Sequence, residues 1–147
     1  GILHLWPYNW SWVRAETLTD SVDHAFEKTV AYISPHYEAM HAAGKPLVLE
    51  EFGYPRDSMS YAPGSPTTGR DAFYSRVFNL IATSGMINGC NFWGWGGYGV
   101  PAHENWQPWD DYTCDPAQEP QGLNSVFASD STTLAIIRES VEAIKRK

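Results

Sequence analysis

The stretch Pro46-Leu-Val-Leu-Glu-Glu-Phe-Gly-Tyr54 decides the fold of this chain. A short apolar run that ends in a glycine turn is typical of a buried parallel strand. Such strands place functional groups at their carboxyl ends, and this end carries Glu50 and Glu51. The segment therefore predicts a strand and a candidate site together. A strand-end glutamate that only forms a salt bridge is the alternative for either residue.

Side-chain alternation separates the two glutamates. Glu51 is expected on the strand face of Leu47 and Leu49, and Glu50 on the face of Phe52. Only one of them would then point into a barrel interior, and periodicity does not say which.

The hydrophobic pattern around this strand predicts alternating strands and helices. Predicted strands are 2–6, 47–52 and 89–95. The first predicted helix covers 20–43 with an interruption at Ser34-Pro35, and the second begins at Thr67 or Thr68. The third begins at 130 and has a basic last turn, Lys145-Arg146-Lys147. The segment 98–129 is predicted to be a long loop. Alternating β and α elements indicate parallel strands with right-handed crossovers. A closed (β/α)8 barrel needs about 250 residues. The predicted fold class is therefore α/β: residues 1–147 form the last three βα units, strands 6–8, of a TIM barrel whose N-terminal strands are absent from this chain.

Composition limits the function classes. A hydrophobic content of 43% and a charged content of 18% fit a globular protein. The net charge of −7 argues against nucleic acid and anionic membrane surfaces as partners. No run approaches the roughly 20 apolar residues of a membrane span. No histidine or cysteine has a metal-ligand spacing, so neither a metal nor another cofactor is predicted.

Tryptophan is concentrated in two places. Trp6, Trp10 and Trp12 lie in the first dozen residues, and a second group follows the last predicted strand: Trp93, Trp95, Trp106 and Trp109. Partly exposed aromatic rings bind the apolar faces of sugars. Packing of loops over one end of the domain is the alternative, which we favour for any single tryptophan. For two groups that flank a carboxylate strand we favour a sugar cleft.

Four segments resemble the C-terminal part of glycoside hydrolase family 5 enzymes, in particular endo-β-1,4-mannanases. The segments are His4-Leu-Trp-Pro-Tyr-Asn-Trp10, Lys45-Pro-Leu-Val-Leu-Glu-Glu-Phe-Gly53, Gly89-Cys-Asn-Phe-Trp-Gly-Trp-Gly-Gly97 and Asp115-Pro-Ala-Gln-Glu-Pro-Gln-Gly122. The resemblance implies retaining hydrolysis by two carboxyl groups about 5–5.5 Å apart. Glu51 matches the nucleophile, which resolves the choice that alternation left open, and Glu50 becomes a supporting residue.

The resemblance also assigns roles around Glu51. His4 is expected to hydrogen-bond to the substrate or the nucleophile. The alternative is a histidine of the core whose hydrogen bonds go to neighbouring protein groups. Relatives commonly carry Tyr at position 6, whose hydroxyl contacts the nucleophile, so Trp6 leaves the partner of Glu51 open. Trp93 matches the floor beneath the sugar. Further substrate contacts are predicted for Trp6, Trp95, Arg56, Trp106 and Trp109.

The general acid/base of these enzymes lies in an Asn-Glu-Pro segment, and this chain has none. The isolated chain is therefore expected to be inactive. Its expected partners are β-mannan, as polysaccharide or oligosaccharide, and either the missing N-terminal part of the barrel or a second copy of the chain.

Other functions and properties stay open at this point. A β-1,4-glucanase and a non-catalytic carbohydrate-binding fragment are the alternative functions. The polysaccharide substrate implies a secreted or periplasmic protein. Cys90 and Cys114 form one disulfide or remain free.

Overall fold

The structure, a computed structural model, describes residues 1–145; of the predicted basic last turn, Arg146 and Lys147 lie outside the described residues. Three parallel strands form one sheet in the order β1 (Ile2–Leu5), β2 (Val48–Phe52), β3 (Gly89–Cys90). A second sheet pairs β4 (Trp95–Gly97) with β5 (Val126–Phe127), also in parallel. The helices are α1 (Val22–Ala42), α2 (Thr68–Ser84) and α3 (Ser131–Lys145), and short 3-10 turns occupy Ala15–Thr17 and Asp57–Met59.

The core lies between one face of the main sheet and the helices. Leu3 and Leu5 of β1, Leu49 of β2 and Leu47, which directly precedes β2, are buried on this side. Helices α1 and α2 supply the facing residues Val22, Ala25, Ile33, Phe73, Tyr74, Val77, Phe78 and Ile81. The other face of the sheet is open, since Ile2 is 64% exposed. This asymmetry places the polar strand residues on one accessible surface.

The helices begin and end close to the predicted positions. Helix α1 continues through Pro35, which removes only one backbone hydrogen bond, and Ser34 Oγ donates to the Val30 carbonyl at 2.8 Å in the same turn. Thr67 occupies the N-cap of α2, but its side chain does not cap the helix. The Asp57 carboxylate instead accepts from the backbone N–H groups of Thr68 and Gly69, each at 2.9 Å.

Two sequence predictions about strands are corrected. The third strand is shorter than predicted, because only Gly89 and Cys90 pair with β2. The predicted loop 98–129 contains β5, whose two residues, Val126 and Phe127, are fully or almost fully buried. Val126 and Phe127 gave no signal because a two-residue strand has no period to detect.

Strict alternation along β2 is also wrong. The register with β1 shifts from Leu3 opposite Leu49 to His4 opposite Glu51, so Glu50 is an extra residue in β2. A bulge of this kind re-aims the side chains that follow it. Phe52 is consequently fully buried on the helix side with Leu49. The two glutamates therefore do not lie on opposite faces of the sheet.

None of the helices within residues 1–145 has the length and apolar character needed to cross a lipid bilayer.

Candidate active site

His4 lies between the two glutamates at the carboxyl end of β2. Its Nε2 is 3.2 Å from Glu50 Oε2, and its Nδ1 is 3.3 Å from Glu51 Oε2. Glu51 is the less exposed of the two side chains, at 30% against 45% for Glu50. The bulge at Glu50 brings both carboxylates to one imidazole ring, which alternation alone did not predict.

Trp6 supplies a hydrogen bond to Glu51. The indole Nε1–H donates to Glu51 Oε2 at 3.4 Å, which answers the question of what replaces the tyrosine of related enzymes. The same indole meets Trp93 edge to face, with ring centroids 5.6 Å apart. One oxygen of Glu51 therefore accepts from the indole N–H, faces a ring nitrogen of His4 and lies beside an aromatic pair. Donors to one oxygen fix the orientation of a carboxylate.

A side chain of helix α2 hydrogen-bonds to the backbone of Trp93. The Tyr74 hydroxyl donates to the Trp93 carbonyl at 3.0 Å, and the peptide bond between Trp93 and Gly94 is cis. Tyr74 is fully buried, and burial raises the pKa of its hydroxyl above the ordinary tyrosine value, so it stays a donor at neutral pH. Nothing in the sequence marked Tyr74, because its periodicity is that of any core residue.

Trp93 and Trp106 line one cavity of about 370 Å³. Its wall includes Tyr112, Cys114 and the buried Gln121. Gln121 donates to three backbone carbonyls and accepts from Thr113 Oγ1, so it shapes the loop that forms the wall. Tyr112 and Gln121 were not predicted, since the long loop shows no pattern from which to infer a wall.

The remaining predicted aromatic residues lie apart from this cavity. Trp95 is 52% exposed and lines a separate apolar groove with Cys90, Phe92 and Ile137. Trp109 is fully exposed. Their predicted substrate contacts stay predictions.

Trp10 and Trp12 support the packing alternative. Both rings contact Tyr32 of α1, with centroid distances of 5.1 Å and 6.1 Å. The first tryptophan group is therefore divided: Trp6 belongs to the candidate site, and the other two fix a loop against a helix.

Arg56 was predicted to line a substrate subsite, and that prediction is wrong. Its side chain is fully buried and forms an ion pair with Asp130, with Nη2 2.5 Å from Oδ2. It also donates to the carbonyls of Gly122, Ser65 and Ser125. A side chain without exposed surface does not contact a polysaccharide; Arg56 instead ties the long loop to the start of α3.

Both cysteines are free thiols. Burial raises the pKa of Cys90 to about 11, and burial together with the Asp115 charge raises the pKa of Cys114. Cys114 packs against Gly94, next to Trp93.

A parallel α/β unit with a carboxylate pair, a histidine and tryptophans at its strand ends is typical of the glycoside hydrolases of the barrel class. The sequence profile of the glycoside hydrolase family 5 β-mannosidase-like proteins matches residues 1–147. The chain belongs to this family, and the resemblance inferred from sequence is confirmed. A comparison with curated protein sequences finds no significant match.

Solved structures agree with this assignment. A glycoside hydrolase family 5 mannosidase from Rhizomucor miehei matches with a TM-score of 0.87 and 29% identity over 99% of this chain. A variant of that enzyme in complex with mannosyl-fructose matches with a TM-score of 0.85 and 29% identity over 98% of the chain. The endo-β-1,4-mannanase from Thermotoga petrophila matches at 23% identity with a TM-score of 0.58, over 98% of this chain and 26% of its own length, and shows the fold alone. The chain spans 37% of the mannosidase structures. The predicted α/β class, with parallel strands that match part of a (β/α)8 barrel, is confirmed.

Proposed function

We propose that this chain carries the nucleophile of a retaining glycosidase that hydrolyses β-mannosidic bonds. The observation that carries the proposal is Glu51 Oε2, which faces both His4 Nδ1 and Trp6 Nε1. An oriented carboxylate beside an aromatic pair suits attack on an anomeric carbon, because the sugar ring can lie on Trp93 while the oxygen points at the reacting atom.

The proton donor of this reaction is proposed to lie outside the chain. Retaining hydrolysis needs a second carboxyl group about 5–5.5 Å from the nucleophile, on the other side of the scissile bond. Glu50 does not suit this role, since it contacts the same histidine ring as Glu51. We therefore assign the acid/base to the N-terminal part of a complete barrel, and we expect the isolated chain to be inactive.

The substrate is proposed to be a β-1,4-linked mannan or a mannose-containing oligosaccharide. The sequence predicted cleavage of internal bonds. The match to the β-mannosidase-like family and to the Rhizomucor mannosidase supports a second candidate, release of terminal mannosyl groups. The bound mannosyl-fructose of the Rhizomucor variant supports a mannosyl group as the ligand.

The test combines the purified chain with the N-terminal part of the barrel, supplied as a separate polypeptide. Three substrates distinguish the candidates: p-nitrophenyl β-mannoside for terminal bonds, linear mannohexaose for internal bonds, and cellohexaose for a β-glucanase. We expect hydrolysis of a mannoside only after mixing, with the β-anomer released first in an NMR time course. Activity of the chain alone would contradict the proposed split of the two carboxyl groups.

Two variants complete the design. Glu51→Gln should abolish hydrolysis, and the matched control Glu27→Gln, an exposed glutamate on α1, should not. Mannohexaose binding without hydrolysis under every condition would instead identify a carbohydrate-binding fragment.

A further inference from the structure

The bulge in β2 gives Glu50 a defined position that its place in the sequence does not suggest. Its carboxylate Oε2 lies 3.2 Å from His4 Nε2, while the other ring nitrogen of His4 lies 3.3 Å from Glu51 Oε2. The contact with Glu50 has hydrogen-bond geometry, and the contact with Glu51 lies within ion-pair distance. The orientation of the imidazole is thus set by one carboxylate on each side.

We propose that Glu50 is a positioning residue that acts through His4: its carboxylate holds the imidazole so that Nδ1 stays beside the nucleophile Glu51. The proposal rests on the function proposed for Glu51. It differs from a plain surface ion pair, which contributes little, because the ring that Glu50 holds also contacts the reacting oxygen. The role is one of orientation, since Glu50 itself does not contact the anomeric carbon.

A fixed orientation of the His4 ring matters in both steps of the proposed reaction. When Glu51 attacks, its carboxylate oxygen bonds to the anomeric carbon, the glycosidic C–O bond breaks, and the leaving oxygen takes the proton of the acid in the N-terminal part. Glu51 becomes a neutral ester, so its electrostatic attraction for the His4 ring weakens. Glu50 takes no part in bond making or breaking and holds the ring in place. Water then attacks the anomeric carbon, gives its proton to the deprotonated acid/base of the N-terminal part, and releases Glu51 as a carboxylate that faces the same ring nitrogen.

Two substitutions of Glu50 separate position from charge. Glu50→Ala removes the partner of His4 Nε2, and we expect kcat/KM of the reconstituted enzyme to fall about tenfold, mostly through kcat. Glu50→Gln should recover most of this loss, because an amide can accept from a protonated Nε2 or donate to an unprotonated one. The exposed control Glu27→Ala should leave kcat and KM unchanged.

A double-mutant cycle with His4→Ala tests whether Glu50 acts through the histidine. We expect Glu50→Ala to have no further effect once the imidazole is absent. Equal effects of Glu50→Ala in both backgrounds would overturn the proposal, as would a loss in Glu50→Gln as large as in Glu50→Ala.

An NMR measurement gives a readout that does not need activity. Long-range ¹H–¹⁵N spectra of histidine-labelled protein report which ring nitrogen carries a proton, and His4→Gln assigns the His4 signals. We expect one well-defined protonation pattern of the ring in the wild-type protein and in Glu50→Gln, and exchange between tautomers in Glu50→Ala. An unchanged His4 spectrum in Glu50→Ala would overturn the positioning role. Absent glycosidase activity together with the expected spectra would reject only the reaction proposed for Glu51.

Discussion

The indole of Trp6 lies directly against the backbone of Gly53, and a methyl group on Gly53 would overlap the atoms of the indole ring. The same ring donates to Glu51 and meets the edge of Trp93. The glycine that follows Glu51-Phe52 therefore does more than end a strand: its missing side chain leaves the space in which the partner of the nucleophile sits.

Gly53→Ala should consequently push Trp6 away from Glu51. A Cβ at this position meets rigid ring atoms, so the indole must move. We expect kcat/KM of the reconstituted enzyme to fall by about tenfold or more, with the loss of one hydrogen bond to a charged group as the main cause. Gly89→Ala is the matched control, since a methyl group there has no described atom within 4 Å. Equal kinetics of the two variants would show that Trp6 has no role in the reaction.

Removing only the indole N–H tests the hydrogen bond itself. Trp6→Phe keeps an aromatic edge toward Trp93 but has no donor for Glu51, and we expect kcat to fall by about tenfold. Trp6→Tyr returns a hydroxyl, the group that the resemblance assigns to this position in related enzymes, and should recover part of the activity. Steady-state kinetics on a mannoside decide the order of the three proteins. A Tyr variant no better than the Phe variant would contradict a donor role at position 6.

The sequence predicted the three helices and the first two strands, but not the side-chain directions that one extra residue in a strand changes. Helical and apolar periodicity located the three helices and the first two strands, because each spans at least one full repeat. The bulge at Glu50 has no periodic signal, so alternation assigned the two glutamates to opposite faces although both contact His4.

Long-range pairing was the other source of error. Arg56 follows the strand that carries Glu51, and an arginine near a strand end suggests a ligand contact. Its partner, Asp130, lies 74 residues later in the chain, so local sequence gave no indication of burial. The wall of the Trp93 cavity was missed for the same reason, since Gln121 acts through contacts within an irregular loop.

The buried pair of Arg56 and Asp130 predicts a strong effect on stability. Asp130 also lies 3.8 Å from Arg70, whose pKa is lowered by burial, so one carboxylate faces two buried guanidinium groups. Asp130→Asn should lower the free energy of unfolding by about 3–5 kcal/mol, because it removes the carboxylate that faces both buried cations. Arg56→Met should cost less, since Asp130 keeps Arg70 nearby.

Urea unfolding followed by circular dichroism measures this order. Glu142→Ala, which breaks the exposed pair between Glu142 and Lys145, is the control and should leave the midpoint unchanged. A larger loss for Arg56→Met than for Asp130→Asn would mean that the hydrogen bonds of Arg56 to the loop carbonyls outweigh the charge balance.

Two buried tyrosines predict how stability depends on alkaline pH. Burial, with a smaller effect of Asp57, raises the pKa of Tyr54 from 10.0 to about 12, and burial raises the pKa of Tyr74 as well. Both hydroxyls donate to backbone carbonyls, Tyr54 to Leu18 and Tyr74 to Trp93. The folded state therefore favours the neutral phenol, which is also the form that donates.

The sign of the effect follows from these directions. The unfolded chain ionises near pH 10, so the stabilisation is complete below that pH and is lost as the pH rises from 10 toward 12. We expect a spectrophotometric titration of the folded protein to show two of its eight tyrosines ionising later than the rest. Tyr54→Phe and Tyr74→Phe should each remove one late phase, and in denaturant all eight should titrate together. Simultaneous ionisation of all eight in the folded protein would contradict the burial of these hydroxyls.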